Sequence, residues 1–434
     1  MPDRSERVYS LFGTDVHEWA FSNGFRLVLI RDRDTTRKMG MVTIKGGSTT
    51  PFDLQDTHRK HTPPGLAHFL EHILFDREDG KAHAKFAACN ALSNAFTSYV
   101  STAFFFTTIE EYAPCLDILL QSVLESNFHE GMVRREKEVI LQELAMYEDD
   151  PDYMTDLAFM RRIGRVEQGD IFNILGTRES LATISAEQIR SFHESNYRPD
   201  RMLLVMIGDL EPEKLLEQVV SVEGLMAPTG ETLLDSVLPD CEERSEPYQG
   251  EVEIGMDIGQ QIGRCGWQLP LDGAKAVVTR KLAAVQVLLE AMFGRFADLP
   301  LRLEAEGRLV EPLEVRTELL SDRVVVILET AGPEVTGIGD EVLATVETLT
   351  RTGLSESLLE AARNKLYGEW VLMYDDMPNF LYEFSDLLIR GIQPADFIEA
   401  LSQVRSEEIR DVLAELTKER FLSVRVTGRG DGEA

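Results

Sequence analysis

Two histidines four residues apart, His68 and His72, stand in the segment GLAHFLEHILF (65–75) with Glu71 between them. On a helix each residue advances about 100°, so the two histidines lie about 40° apart and one turn along. Glu71 falls about 60° to the other side of His68, and all three side chains point into one wedge. Two imidazoles at i and i+4 are well placed to grip a single zinc ion. A glutamate beside them can act as general base toward the water on that metal. The same letters also fit a core helix with two hydrogen-bonded histidines. Against that reading, Glu71 puts a carboxylate into a segment otherwise made of Leu, Phe, Ile and Ala, and an unpartnered buried charge is costly.

A zinc site needs a third protein ligand and an open fourth position. The best source is RREKEVILQELAMYEDD (134–150). Glu136 and Glu143 are seven apart and nearly share a helical face, which also carries Val139, Ile140, Leu144 and Tyr147. Glu143 sits within that apolar stripe, where a metal or a cationic partner is demanded. Glu136 suits a supporting place, steadying a ligand or a histidine N–H. Glu138, Glu148 and Asp149 read as solvated charges.

The elements that must position these residues can be read along the chain. FRLVLIRDRDTTRKMGMVTIKGGS reads as two strands with alternating faces joined by a polar turn. Residues 64–75 read as a helix started by Pro63 and Pro64, and LSNAFTSYVSTAFFFTTI as two strands. Helices are expected at 109–125, 130–148, 150–165 and 185–195, then a strand at 201–207. The end of this series recurs. Leu181, Ile184, Glu187, Ile189, Arg190 and Gly208 match Leu401, Val404, Glu407, Ile409, Arg410 and Gly428 at one constant step of 220 residues (428 − 208). A shared register points to an internal duplication. The expected architecture is therefore α+β, with two related domains that each pack helices on an antiparallel-rich sheet. The first spans 1–225, a Pro-, Gly- and acid-rich linker 226–250, and the second 251–434.

A chain of 434 residues suits two such domains. Its formal net charge of −31 argues against nucleic acid, whose phosphates need a basic surface. That charge fits either a basic substrate or plain solubility. No run approaches the roughly 18 apolar residues of a membrane span, and no signal segment is read at the N-terminus, so a cytoplasmic enzyme is expected. Cys89, Cys115, Cys241 and Cys265 lack C-x-x-C spacing and are expected to be reduced, buried thiols. All eight histidines, including His58 and His61, fall in the first half of the chain.

With these motifs in order, the chain resembles the inverted zincin peptidases, the family of pitrilysin, insulin-degrading enzyme and the mitochondrial processing peptidase. It looks most like their bacterial half-length members. The resemblance covers nearly the whole chain and is carried by FSNGFRLVLI, GLAHFLEHILF, SNAFTSYVSTAFFF, REKEVILQELAMYEDDPD and NYRPDRMLLVMIGDL. It implies that His68, His72 and Glu143 bind one zinc ion, that Glu71 is the general base and that Glu136 supports the ligands. It implies further that Asn94, Ala95 and Phe96 offer a strand edge to an extended peptide. The His72–Glu143 spacing is slightly short for the family, which a trimmed loop near FDREDGKAHAKF would explain.

One departure concerns the arginine and tyrosine that active members carry in a pattern like L-R-x-K-x-G-x-x-Y. The corresponding stretch is LRLEAEGRLVEPL (301–313), where Arg302 fits the arginine but the tyrosine position falls near Leu309. The resemblance then implies a zinc endopeptidase subunit that forms half of a clam-shell chamber. A homologous partner would complete it, as a heterodimer or alternatively a homodimer. A non-catalytic assembly subunit of the same fold is the second reading, favoured by the missing tyrosine and opposed by the intact zinc motif. A metal-dependent hydrolase of small molecules would need a tight pocket, and the edge NAFTS suits peptides better.

Overall fold

The computed structural model describes residues 3–50, 62–75, 82–163, 172–229, 251–320 and 322–428. Most of the expected linker, His58, His61, Cys241 and residues 76–81 of the expected short loop lie outside the described residues. The chain forms two compact units that are interleaved in sequence. The first takes residues 1–144, 168–239 and 373–391; the second takes 145–167, 240–372 and 392–434.

The first unit holds strands β1 (Arg4–Leu11), β2 (Thr14–Phe21), β3 (Arg26–Arg31), β4 (Lys38–Ile44), β5 (Ala91–Thr97), β6 (Thr102–Thr108) and β7 (Met202–Gly208). Its helices are α1 (Leu66–Phe75), α2 (Ala82–Ala88), α3 (Tyr112–Leu124) and most of α4 (Glu130–Glu148). Helices α6 (Arg178–Thr183), α7 (Ala186–Asn196), α8 (Pro212–Ser221) and α13 (Met377–Ile389) complete it. The sheet order is β1-β2-β3-β7-β4-β6-β5. Only β3 and β7 pair in parallel; the other neighbours are antiparallel.

The two strands read from FRLVLIRDRDTTRKMGMVTIKGGS are present, but they are not neighbours: β7 lies between them. Nor do their faces alternate. Leu27–Ile30, Met39–Ile44 and all of β7 are buried, because helices cover both faces of the sheet. The alternation of a strand shows this directly. Phe96 packs its ring on Tyr382 of α13, while its neighbour Thr97 bonds Glu71 of α1 on the opposite face. The hairpin β1–β2, absent from the sequence reading, extends the far side of the sheet.

The second unit holds α5 (Pro151–Ile163), β8 (Glu251–Met256), β9 (Gln261–Pro270), α9 (Lys275–Phe293), α10 (Asp298–Ala305), β10 (Glu314–Leu319) and β11 (Arg323–Gly332). It continues with α11 (Ile338–Thr352), α12 (Glu356–Met373, all but its last residue), α14 (Pro394–Gln403), α15 (Ser406–Glu415) and β12 (Phe421–Gly428). Its sheet order is β10-β11-β9-β12-β8, with β8 and β12 the one parallel pair. This repeats β5-β6-β4-β7-β3 strand for strand. The helix, cap, helix and strand of α6, α7 and β7 recur as α14, α15 and β12, with Ile184 and Val404 each capping the first helix. The two domains are related, as the constant step implies.

Each unit borrows a helix from the other half of the sequence. Helix α5 packs on β9 and β12 of the second unit, and α13 packs on the equivalent β4 and β7 of the first. In the second unit Arg264, Asp152, Glu329, Arg316 and Asp156 form an ion-pair network between α5 and the sheet. Cys115 and Cys265 are buried as expected, whereas Cys89 is half-buried because it follows α2 in a surface turn. Among the described residues no helix is long and apolar enough to cross a membrane.

Candidate metal centre

Helix α1 is buried along its whole length except at His72. A helix apolar all round belongs in a core, and the three polar side chains of α1 are its exceptions. Its start is pinned from outside. Gly65 has φ +87°, and a Cβ there would meet the Leu175 carbonyl oxygen at 2.7 Å, so glycine is required. Ser180 Oγ donates to the Pro64 carbonyl at 2.9 Å, fixing the residue before the turn.

Helix α4 brings the carboxylates. Met132, Val133, Ile140 and Leu144 form its buried side, and Glu136 and Glu143 lie on that side with them. Two residues of the expected stripe are exposed. Val139, 49% exposed, lies about 70° from the centre of the buried face, whereas Tyr147, 38% exposed, shares that face but stands in the last turn of α4, beyond Leu144.

The donor atoms of His68, His72 and Glu143 all lie within 4.8 Å of one another. His72 Nε2 is 3.3 Å from Glu143 Oε2, and His68 Nε2 is 3.8 Å from Glu143 Oε1. Glu71 Oε2 lies 4.0 Å from His68 Nε2. Two atoms each about 2.1 Å from a tetrahedral zinc would stand about 3.4 Å apart. The donor set and its spacing therefore fit that ion. Behind the cluster, His72 Nδ1 meets Glu136 Oε1 at 2.9 Å. That bond holds the proton on Nδ1 and turns Nε2 toward Glu143.

The titration of these side chains follows from their surroundings. Burial first, then the neighbouring His72, pushes His68 down to about 4, which keeps its imidazole neutral and able to ligate. Burial acts in the same direction on His72, but the bonds to Glu136 and Glu143 outweigh it and raise His72 to about 10. The bond to His72 chiefly holds Glu143 below the usual carboxyl range.

Among the described residues, strand β5 ends the sheet and pairs only with β6. Asn94, Ala95 and Phe96 lie on it, with Asn94 exposed and Ala95 and Phe96 half-buried. Thr97 at its end donates to Glu71 Oε2 at 3.0 Å, a contact the sequence reading missed. Strand alternation places Thr97 on one face but does not say which helix covers that face. Arg302 belongs to the second unit, on α10. Its guanidinium is bonded to Glu341 at 2.6 Å and lies 3.7 Å from Glu306.

Comparison with known proteins bears on both the family and the fold. The family model described as insulinase, peptidase family M16, matches residues 32–166, and the one described as the M16 peptidase inactive domain matches 183–366. An uncharacterized zinc protease of Bacillus subtilis, YmfH, is 26% identical over 402 residues, covering 91% of this chain and 92% of that protein. The beta subunit of the mitochondrial-processing peptidase of Neurospora crassa is 32% identical over 164 residues, about a third of each chain (35% and 33%). In fold, the crystal structure of an M16-like peptidase from Alicyclobacillus acidocaldarius superposes with a TM-score of 0.84 at 22% identity, covering 99% of both chains.

Proposed function

We propose, from the premise that this chain belongs to the insulinase-like M16 peptidase family, that it is the zinc-bearing subunit of an endopeptidase for short, unfolded peptides. The observation that carries the reading is the convergence of His68, His72 and Glu143 from two helices onto one point, with Glu71 beside them. These three residues would hold the metal, and Glu136 would keep His72 in its ligating tautomer. When bound, a zinc ion supplies Lewis acidity and lowers the pKa of a water.

The remaining steps fall to the chain's own residues. Glu71 takes the proton of the attacking water and returns it to the departing amine, as a general base and then a general acid. The open side of β5 accepts the substrate as an added strand, through main-chain hydrogen bonds along Asn94, Ala95 and Phe96. Main-chain pairing reads side chains loosely, which suits unfolded peptides of varied sequence. The missing tyrosine beside Arg302 points to a partner subunit that supplies the arginine–tyrosine pair and closes the chamber. Lost oxyanion donors typically cost two to three powers of ten in rate. That same gap favours the second reading, an assembly subunit without activity.

The decisive experiment uses wild type and Glu71→Gln, each alone and with a homologous partner chain, on unstructured peptides. Zinc content is measured alongside. The peptidase reading expects one zinc per chain in both proteins and cleavage by wild type only, with Glu71→Gln slower by about a thousandfold or more. Wild type that binds zinc but cuts nothing with any partner would favour the assembly reading. Full activity of wild type alone would remove the need for a partner.

A further inference from the structure

We propose that Thr97 is a positioning residue for Glu71, tying the carboxylate of the base to the end of the strand on which a peptide would lie. The proposal rests on the reading of Glu71 as general base. A threonine hydroxyl has one proton to give, and the surrounding bonds settle where it goes. Thr102 stands opposite Thr97 in the β5–β6 register, and its own proton is committed to the Gly46 carbonyl at 2.7 Å. The two hydroxyls are 3.5 Å apart, too far for a strong bond between them. The Thr97 proton therefore goes to Glu71 Oε2, 3.0 Å away, where a charged acceptor makes the bond stronger than one between neutral groups.

The donor is itself held firmly. As a β-branched residue, Thr97 has a stiff first side-chain torsion. The chain turns immediately after it, with Ser98 N bonded to the Ser101 carbonyl at 2.8 Å and Ser101 N to Ser98 Oγ at 3.1 Å. Ser48 N in turn donates to the Ser98 carbonyl at 3.1 Å. With Oε2 engaged by a donor that cannot drift, the plane of the Glu71 carboxylate is set. A base held in one orientation loses less on the way to the transition state. Thr97 follows Asn94, Ala95 and Phe96 directly, so any movement of β5 on binding a peptide reaches the base through one hydrogen bond.

The test compares zinc-loaded wild type, Thr97→Val and Thr97→Ser, each with the partner chain. Valine keeps the shape and removes the donor; serine keeps the donor and removes the methyl. Losing a hydrogen bond to a charged group predicts that Thr97→Val lowers kcat by about 10- to 100-fold with KM within about twofold. Thr97→Ser should retain at least about a third of wild-type kcat. Crystal structures of the three proteins give a readout that does not depend on activity. The Glu71 carboxylate should keep one orientation in wild type and Thr97→Ser and lose it in Thr97→Val. Should the valine variant fail to fold, Thr97→Ala serves as the donor-less protein. A rise in KM at constant kcat, equal losses in the serine and valine variants, or an unmoved carboxylate in Thr97→Val would each overturn the proposal. Wild type without zinc or activity would instead sink the peptidase reading, and the crystallographic comparison would still decide the role of Thr97.

Discussion

Replacing Glu136 should weaken zinc binding although Glu136 is not among the three proposed ligands. Its carboxylate accepts the proton of His72 Nδ1 at 2.9 Å. The two side chains are only 13% and 17% exposed, so solvent screens the bond little. A hydrogen bond to a charged group contributes about 1.5–3 kcal/mol. Partners that orient a metal-binding histidine are typically worth about 10- to 100-fold in affinity, or roughly 1.4–2.7 kcal/mol, so the two scales agree. Glu136→Ala should therefore raise the zinc Kd by about 10- to 100-fold. Glu136→Gln keeps an acceptor oxygen but loses its charge, and should fall between the alanine variant and wild type. The assay is competition with a chromogenic chelator, with Glu138→Gln as the control, since Glu138 is exposed on the same helix. Wild-type affinity in Glu136→Ala would show that His72 is oriented by something else, and the supporting role of Glu136 would be wrong.

Other consequences concern pH and folding. In the metal-free protein His72 is raised from 6.5 to about 10. Between those values the folded state binds the extra proton, so the contribution of His72 to stability is complete below 6.5 and is lost as pH rises toward 10. The melting-temperature difference between wild type and His72→Gln should shrink from pH 6.5 to 9.5, and a difference that grows would contradict this. His68 is lowered to about 4 and works the other way. The unfolded state binds its proton first, so metal-free stability should fall as pH drops from 6.5 toward 4, less so in His68→Gln. Gly65→Ala should destabilise the first unit by at least about 2 kcal/mol, read as a lower denaturant midpoint, since it combines a positive φ with a backbone clash at the start of α1. An unchanged midpoint would mean that the turn before α1 can shift without loss.

The wedge of His68, Glu71 and His72 was legible in the sequence because angles around a helix follow from spacing alone. The same holds for Glu136 and Glu143, seven residues apart on α4. The duplication was legible too, since both copies keep one register, and the structure repeats it down to the caps of α6 and α14. The positions of Val139 and Tyr147 were not. A stripe of apolar letters shows that a face exists, but only the neighbouring elements decide how wide and how far along the helix its buried part runs.

Pairings between distant segments lay beyond the sequence for a related reason. Nothing local in FRLVLIRDRDTTRKMGMVTIKGGS tells that β7, some 160 residues later, will enter between β3 and β4. Nor does α13 announce that it covers the sheet of the other half of the chain. The contact of Thr97 with Glu71 is of this kind. Spacing within one element fixed the chemistry that each helix or strand could offer. The tertiary structure decided which of those offers meet, because a hydrogen bond or a ligand set across elements depends on where packing places them in space.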